Sequence, residues 1–158
     1  MICFTLHHLL TDASTTKPLI DTKAPLTLKQ CRLEQQWSKP GSPSPFPTTI
    51  FATADVTLSH TIIESANGCA IFSKLVPNSP DEVRIRLENC AIAAVRAFCL
   101  MSLEAQKTWN ITQSHCQLIN GGLFCIDEKN QSVPQWKLKR SVIESAFMLM
   151  VRSEWYLY

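Results

Sequence analysis

The amino-acid sequence predicts an α+β fold, an antiparallel sheet with helices packed on its apolar side, in the element order α-βββ-α-ββ-α. Two observations support this prediction. A helix-capping sequence stands before a long apolar run at residues 83–107, and an Asn67-Gly68 pair separates two stretches typical of strands. Asn-Gly is the strongest short signal for a hairpin, because both central residues of the turn need a positive φ. Strands joined by tight turns pair antiparallel, so we expect the helices to cover one face of the sheet.

The central helix is predicted to begin at Ser79. Ser79 and Glu82 have the spacing of a capping box, and Pro80 takes the first helical position, where a missing N–H costs nothing. At 100° per residue, the apolar side chains that follow form two opposed faces, and such a helix has to be covered twice. The sheet is expected to cover one face. The other is covered either by a second subunit or within the same chain.

The N-terminal third divides into three predicted regions. Residues 1–25 are rich in Thr, Ser, Asp and Lys and form an N-terminal extension, poorly ordered or an arm. A single α+β domain spans residues 26–158 and starts with a short helix at residues 26–37. The four prolines within residues 39–48 allow neither a helix nor a central strand, so this segment is predicted to be a connector.

Five strands and a last helix complete the predicted domain. Residues 48–58 alternate between apolar and polar side chains, as a half-buried strand does. The other strands are predicted at residues 61–65, 69–76, 112–119 and 123–127. Asn120-Gly121-Gly122 forms the turn between the last two. Pro134 opens a helix that continues to about residue 155.

The composition is that of a globular protein, with 46% hydrophobic residues, 18% charged residues and a formal net charge of +2. A charge so close to neutral indicates neither a nucleic-acid interface nor a membrane surface. Seven cysteines without a CxxC pair predict reduced thiols, which behave as small apolar side chains. We therefore expect an intracellular protein. The N-terminus lacks the basic start and long apolar core of a signal peptide, and no run approaches the length of a transmembrane segment.

We found no pattern typical of a catalytic centre, so the protein is predicted not to be an enzyme and to need no cofactor. His115, Cys116 and Cys125 are the densest group of potential metal ligands. Neighbouring residues of a strand point to opposite faces, however, which makes a zinc site there a minor alternative. The basic residues near the starts of the central and last helices are interleaved with acidic ones, which favours a solvated surface over a nucleic-acid interface.

Two C-terminal stretches carry a family resemblance. Residues 120–127, NGGLFCID, form a glycine turn followed by an apolar strand that ends at an acidic residue, and residues 147–155, FMLMVRSEW, end in the pair Glu154-Trp155. Residues 70–77 read as a strand that leads into the central helix. Together with the element order, these features resemble the class I type III secretion chaperones, the Tir-chaperone family, over about residues 26–158.

The resemblance implies a cytoplasmic homodimer that holds the N-terminal segment of a secreted effector without ATP or a cofactor. The second apolar face of the central helix independently suggests a dimer, since these side chains need cover that the sheet does not give. The predicted dimer interface comprises Ile85, Ile92, Val95, Arg96, Cys99 and Leu103.

The predicted partner is an extended polypeptide, with no contact to nucleic acid or to a membrane. An exposed edge strand from Ile50 to Leu58 would offer backbone donors and acceptors, with apolar side chains beside it. The predicted partner-binding residues are Leu26, Leu33, Trp37, Ile50, Phe51, Val56 and Leu58. Two alternatives remain at this point: a small nucleic-acid-binding or regulatory α+β protein, and an accessory subunit of a larger assembly.

Overall fold

The protein is a parallel β-solenoid. The structure, a computed structural model, describes residues 18–35, 48–102, 107–127 and 134–152. All regular elements within these ranges are β-strands, and all their pairings are parallel. The predicted α+β class with an antiparallel sheet is therefore wrong.

Twelve strands make up the described chain. The first six are β1 (Ile20–Thr22), β2 (Leu26–Lys29), β3 (Arg32–Gln35), β4 (Thr48–Ala52), β5 (Val56–Ser59) and β6 (Ile62–Leu75). The last six are β7 (Glu82–Glu88), β8 (Ala91–Ser102), β9 (Thr108–Ser114), β10 (Gln117–Asp127), β11 (Gln135–Lys139) and β12 (Val142–Arg152). One sheet has the order β1-β4-β6-β8-β10-β12, with β3 also paired to β6, and the other has the order β11-β9-β7-β5-β2.

The strands form three faces. Face 1 consists of β1, β4 and the second halves of the long strands β6, β8, β10 and β12. Face 2 consists of β2, β5, β7, β9 and β11. Each of these strands belongs to one turn of the solenoid, and we number these turns, in chain order, coils 1 to 5. Face 3 consists of β3 and the first halves of the long strands. Equivalent residues of successive coils lie about 4.8 Å apart, the spacing of hydrogen-bonded strands.

Face 2 shows why the sequence winds in this way. In β7, the side chains of Val83, Ile85 and Leu87 are buried and the residues between them are exposed. The register stacks Val56 on Ile85, and Ile85 on Ile111, so each inward side chain is covered by its equivalents in the adjacent coils. Burying a side chain of this size stabilises the fold by about 1.5–3 kcal/mol.

One residue with a positive φ turns the chain from face 2 to face 3 in each coil. These corner residues are Gln30, His60, Asn89, His115 and Arg140, with φ of 54°, 51°, 51°, 54° and 47°. Their backbones stay in the ladder: His60 N donates to the carbonyl of Glu88 at 2.9 Å, and Asn89 N to that of Ser114 at 3.0 Å. A left-handed conformation costs a non-glycine residue about 1–2 kcal/mol, so the ladder on both sides holds these residues in place.

The residue after each corner closes it with a side-chain hydrogen bond. Thr61 Oγ1 donates to the carbonyl of Ser59 at 3.1 Å, and Cys116 Sγ donates to that of Ser114 at 3.3 Å. The same bond to the carbonyl two residues earlier is made by Cys31, Cys90 and Ser141. Thiol and hydroxyl are interchangeable here, so three of the seven cysteines serve the corners of the solenoid.

A ten-residue pattern recurs once per coil and spans face 2, the corner and face 3. Its five copies are LTLKQCRLEQ (26–35), VTLSHTIIES (56–65), IRLENCAIAA (85–94), ITQSHCQLIN (111–120) and WKLKRSVIES (136–145). The copies begin 30, 29, 26 and 25 residues apart. Repeats in this range are typical of solenoids, whose single coils cannot bury their apolar face alone. The unequal spacing arises in the segments between the copies.

The predicted central helix is instead β7 and the long strand β8. The alternation in VRIRLE has a period of two, and neighbouring coils supply the strands that such a pattern needs. Ser79 closes a turn before β7: its N–H donates to the carbonyl of Val76 at 2.8 Å, and its Oγ accepts from Val76 N at 3.1 Å. The buried Lys107 binds this turn from coil 4, since its Nζ donates to the carbonyls of Pro77, at 2.8 Å, and Ser79.

Both predicted hairpins are wrong, because their Asn-Gly pairs lie inside continuous strands. Asn67-Gly68 lies in β6 and Asn120-Gly121-Gly122 in β10, where the chain bends from face 3 to face 1. The register of β6 against β8 shifts between Ser65 and Cys69, which marks this bend. Glycine is used here for a change of direction within a strand and not for its reversal.

The predicted helices at residues 26–37 and from Pro134 to about residue 155 are also wrong. Residues 26–35 of the first are β2 and β3, joined at the corner residue Gln30, while Trp37 and most of the 39–48 connector lie outside the described residues. The last helix is β11 and β12 up to residue 152. From the predicted N-terminal extension, residues 20–22 form β1, which pairs with β4. Within the described ranges, no helix has the length and apolar character to cross a membrane.

Candidate binding surface

Face 3 carries a channel that runs across the coils. Strand alternation turns one row of face 3 residues outward, and the register aligns them as Glu34, Glu64, Ala93, Ile119 and Glu144 in coils 1 to 5. The next outward positions, Val95 and Gly121, form a second row at the bend toward face 1. Between the two rows lies an open cavity of about 540 Å³, which we call the face 3 channel.

Residues of the two outward rows and residues between these rows line this channel. The walls come from Glu34, Glu64, Ala93, Ile119, Val95 and Gly121, and the floor comes from Gln35, Ser65, Ala94 and Asn120. Ala93 makes the wall low in coil 3, between the larger side chains of Glu64 and Ile119. The channel is therefore most accessible at its centre.

One end of the channel is acidic. In coils 1 and 2, Arg32 bridges the two carboxylates: its Nε donates to Glu34, and its Nη2 donates to Glu64 Oε1 at 3.1 Å and Oε2 at 3.3 Å. The hydrogen bond and the charge of Glu34, followed by the charge of Glu64, raise the pKa of Arg32. This end of the channel therefore presents the carboxylate of Glu64, whose side chain remains 46% exposed.

The other end of the channel is apolar. Val95 is 42% exposed and Ile119 is 45% exposed, although both are aliphatic. On the next outward row of face 3, Val142 in coil 5 is also exposed, while the exposed Ile62 lies in coil 2 beside the acidic end. Contiguous exposed apolar residues on a protein surface mark binding sites more often than single ones do.

Gly121 keeps the channel open beside Val95. A Cβ at position 121 would lie 3.1 Å from the backbone oxygen of Val95 and 4.0 Å from its Cγ1. The first distance is tighter than ordinary van der Waals contact. Any larger residue would therefore push the two coils apart or narrow the channel.

The interior beneath the channel is polar, which is unusual for this core. Thr49 Oγ1 donates to Gln35 Oε1 at 3.2 Å, but Ser65 Oγ and both amide atoms of Asn120 are buried without a partner among the described residues. Gln35, Ser65 and Asn120 occupy the last position of the ten-residue pattern, and Thr49 contacts Gln35. Small and polar side chains at this position leave room for the bend toward face 1.

The predicted dimer residues do not share one surface. The buried ones are Ile85, Ile92 and Cys99. Val95 is exposed in the face 3 channel, Arg96 is half-buried, and Leu103 lies outside the described residues. A strand points alternate residues to opposite sides, so the helical face that would have joined them does not exist.

The predicted partner-binding residues lie mainly in the core. The buried ones are Leu33, Ile50, Val56 and Leu58. Leu26 is half-buried, as is Phe51, whose ring stacks on Phe72 with 5.4 Å between centroids, while Trp37 lies outside the described residues. The predicted edge is also wrong, because β4 pairs with β1 and β6, and β5 pairs with β2 and β7.

Two thiols occupy equivalent corner positions in coils 3 and 4. A hydrogen bond from Cys90 lowers the pKa of Cys116 to about 7, against an ordinary value of 9.0, although burial opposes this shift. The same bond, with burial, raises the pKa of Cys90. Both residues are only 3% exposed, which closes them to a substrate. Cys31, Cys69, Cys90, Cys99 and Cys116 form no disulfide, and the described residues hold no group of three or more potential metal ligands.

Comparisons of the chain with protein-family models, with curated proteins and with solved structures found no match.

Sequence reasoning missed the residues of the face 3 channel. Glu34, Glu64, Ala93 and Ile119 are the ninth residues of four copies of the ten-residue pattern. Aligning these copies would have placed them in one outward row, because position nine follows the buried position eight in a strand. The ten-residue pattern could have revealed this row from the sequence alone. Its copies are unequally spaced, which makes the repeat hard to recognise.

Proposed function

We propose that the protein is a non-enzymatic binding protein that holds an extended polypeptide in the face 3 channel. The observation that carries this proposal is the combination of an acidic end, a low centre at Ala93 and an apolar end at Val95 and Ile119. The strands of the channel are paired on both sides in coils 2 to 4, so side chains and not a free strand edge would provide the contacts.

The dimensions suit a short segment of extended chain. From Glu34 to Ile119 the channel crosses three coil-to-coil steps, which is about 14 Å at the spacing of paired strands. An extended peptide advances about 3.3 Å per residue, so about four residues fit. Charge complementarity places a Lys or Arg of the peptide near the exposed carboxylate of Glu64, and apolar side chains near Val95 and Ile119.

Peptide display tests this proposal. The Ala93→Trp variant fills the channel at its lowest point, and Ala91→Trp serves as the matched control because it lies outward on the same strand but outside the channel. We expect peptides selected on the wild type to lose at least tenfold in affinity on Ala93→Trp and to keep it on Ala91→Trp. Equal binding to both variants would contradict the proposal.

A more specific proposal concerns the identity of the polypeptide. We propose that it is the N-terminal segment of a secreted effector and that the protein acts in the cytoplasm as a secretion chaperone. The five cysteines Cys31, Cys69, Cys90, Cys99 and Cys116 form no disulfide, which supports a reducing compartment. Loss of effector secretion in cells that carry Ala93→Trp, but not Ala91→Trp, is the expected result; secretion unaffected by Ala93→Trp would contradict it.

Self-association is a competing use of the same surface. Val95 belongs to the predicted dimer interface and also lines the channel, so a dimer formed there would exclude the peptide. Light scattering at micromolar concentration distinguishes the two uses. Homodimerisation through the channel predicts dissociation by Val95→Asp and by a bound peptide alike.

A further inference from the structure

Face 2 carries a second channel, bounded on both sides. Its outward rows are Thr57, Arg86, Thr112 and Lys137 on one side and Ser59, Glu88, Ser114 and Lys139 on the other. The backbones of Leu58, Leu87, Gln113 and Leu138 lie between these rows as the floor. The cavity measures about 390 Å³, and we call it the face 2 channel.

Three cations of this channel have no acidic partner. Arg86, Lys137 and Lys139 are exposed, and within the described chain none of them forms an ion pair. Arg84, outside the channel on the same strand as Arg86, differs in that its Nε binds Glu82 Oε1 at 3.1 Å. The charges inside the channel are thus available to a ligand.

These cations lie beside two hydroxyl groups. The register places Thr112 between Arg86 and Lys137, one coil step of about 4.8 Å from each, and places Ser114 between Glu88 and Lys139. Neither hydroxyl donates to another described residue. Charge-assisted hydrogen bonds from Arg and Lys, with hydroxyl donors between them, are the groups that bind tetrahedral oxoanions.

We propose that the face 2 channel binds a phosphate group, either free or at the end of a small phosphomonoester. Glu88 is the one carboxylate lining the channel, against three cations. Beyond the channel, Arg84 on the same strand as Arg86 is paired with Glu82, and the channel itself measures only about 390 Å³. The ligand is therefore a small molecule and not a nucleic acid. This site is separate from the face 3 channel and does not depend on the function proposed for it.

Titration with inorganic phosphate, followed by amide NMR shifts, tests the site. We expect saturable shifts centred on Thr112 and Ser114. Lys137→Gln is expected to raise the Kd at least tenfold, and Thr112→Val at least threefold because it removes only a hydroxyl. Glu88→Gln should lower the Kd, since it removes the repelling charge. The matched control is Lys29→Gln, because Lys29 lies on the same row as Lys139 but in coil 1, outside the channel.

Three outcomes would overturn the proposal. The first is the absence of saturable shifts. The second is an equal increase of the Kd in Lys29→Gln and Lys137→Gln, which would show that phosphate binding depends only on the net charge of the protein. The third is tighter binding of a single-stranded oligonucleotide, with affinity falling steeply with salt and shifts along all of face 2. Tighter binding of a phosphomonoester than of inorganic phosphate would identify the source of the group.

Discussion

Gln113 is the polar member of an otherwise apolar inward row. The other coils hold leucine at this position: Leu28, Leu58, Leu87 and Leu138. Gln113 is 2% exposed, and neither its Nε2 nor its Oε1 has a partner among the described residues. A buried amide without hydrogen bonds destabilises a fold, and its replacement by an apolar residue of similar shape removes that cost.

Gln113→Leu is therefore expected to stabilise the protein by about 1–3 kcal/mol. Urea denaturation measures the change. Gln135→Leu is the control, because Gln135 is exposed in β11 and its replacement should change the free energy of unfolding by less than about 0.5 kcal/mol. A destabilised Gln113→Leu protein would show that the amide has a partner that compensates its burial.

The thiol pair predicts a pH dependence of stability. The pKa of Cys116 is lowered to about 7 by the bond from Cys90, against 9.0 ordinarily. An acid whose pKa is lower in the folded state contributes stability that rises with pH between the two values and is lost as pH falls through about 7. We expect the urea midpoint to rise from pH 7 to pH 9 in the wild type. Cys116→Ser, which keeps the corner hydrogen bond as Ser141 does, should show a smaller rise; an unchanged rise would contradict the assignment.

The corners are the element on which the winding depends. Each places a residue other than glycine at positive φ, and each is closed by a thiol or hydroxyl two residues from the carbonyl that it binds. Asn tolerates this conformation better than His or Arg, because its short polar side chain can bond locally. The five corners are thus equivalent in geometry but unequal in cost.

His115→Gly is expected to stabilise the protein by about 0.5–1 kcal/mol, since glycine removes the left-handed cost but loses more entropy on folding. Asn89→Gly should stabilise the protein by less than His115→Gly does. His115→Val should destabilise by about 1–2 kcal/mol, because a β-branched residue fits this conformation worst. Thermal unfolding of the three variants measures the order. A stabilised valine variant would contradict the corner geometry.

At the level of elements, the sequence could predict strands but not their partners. The alternation at residues 48–58 correctly indicated β4 and β5, although as one strand. The same alternation in VRIRLE was outweighed by a capping box and by the apolar run AFCLM, whose residues are buried on both sides of β8. A strand that is buried on both sides has apolar residues at successive positions, so its sequence shows no alternation of apolar and polar residues. A helical pattern of apolar residues fits such a sequence equally well.

The face 3 channel could not be predicted without the repeat. Its residues come from four coils and are brought together only by parallel stacking, whereas hairpins at Asn67-Gly68 and Asn120-Gly121 would have placed them apart. Val95 was identified as a surface contact, but through a helical face that the structure lacks. Local propensity says nothing about which strands stack, because the pairing energy comes from segments 25 to 30 residues away.

On the scale of the molecule, the five described coils form a one-dimensional stack, in which each coil packs on its neighbours. The inward leucine of face 2 shows the consequence: it is 0% exposed at Leu58 and 46% exposed at Leu138, in coil 5. Apolar side chains in the middle coils therefore contribute more than equivalent ones in the last described coil.

Ile85→Ala should destabilise the protein by about 2–5 kcal/mol, because it opens a cavity between Val56 and Ile111. Leu138→Ala should cost less than about 1 kcal/mol, because half of its side chain is already exposed. Chemical denaturation of both variants provides the comparison. Equal losses would indicate that coil 5 is covered as completely as coil 3.

Distances between spin labels test the parallel stacking of the coils. Labels attached through a bio-orthogonal amino acid at Thr27 and, in separate proteins, at Thr57, Thr112 and Lys137 lie on one outward row of face 2. The account predicts backbone separations of about 5, 14 and 19 Å, a constant increment of about 4.8 Å per coil. Distances that do not increase in this order, as in a sheet of antiparallel hairpins covered by helices, would contradict the solenoid.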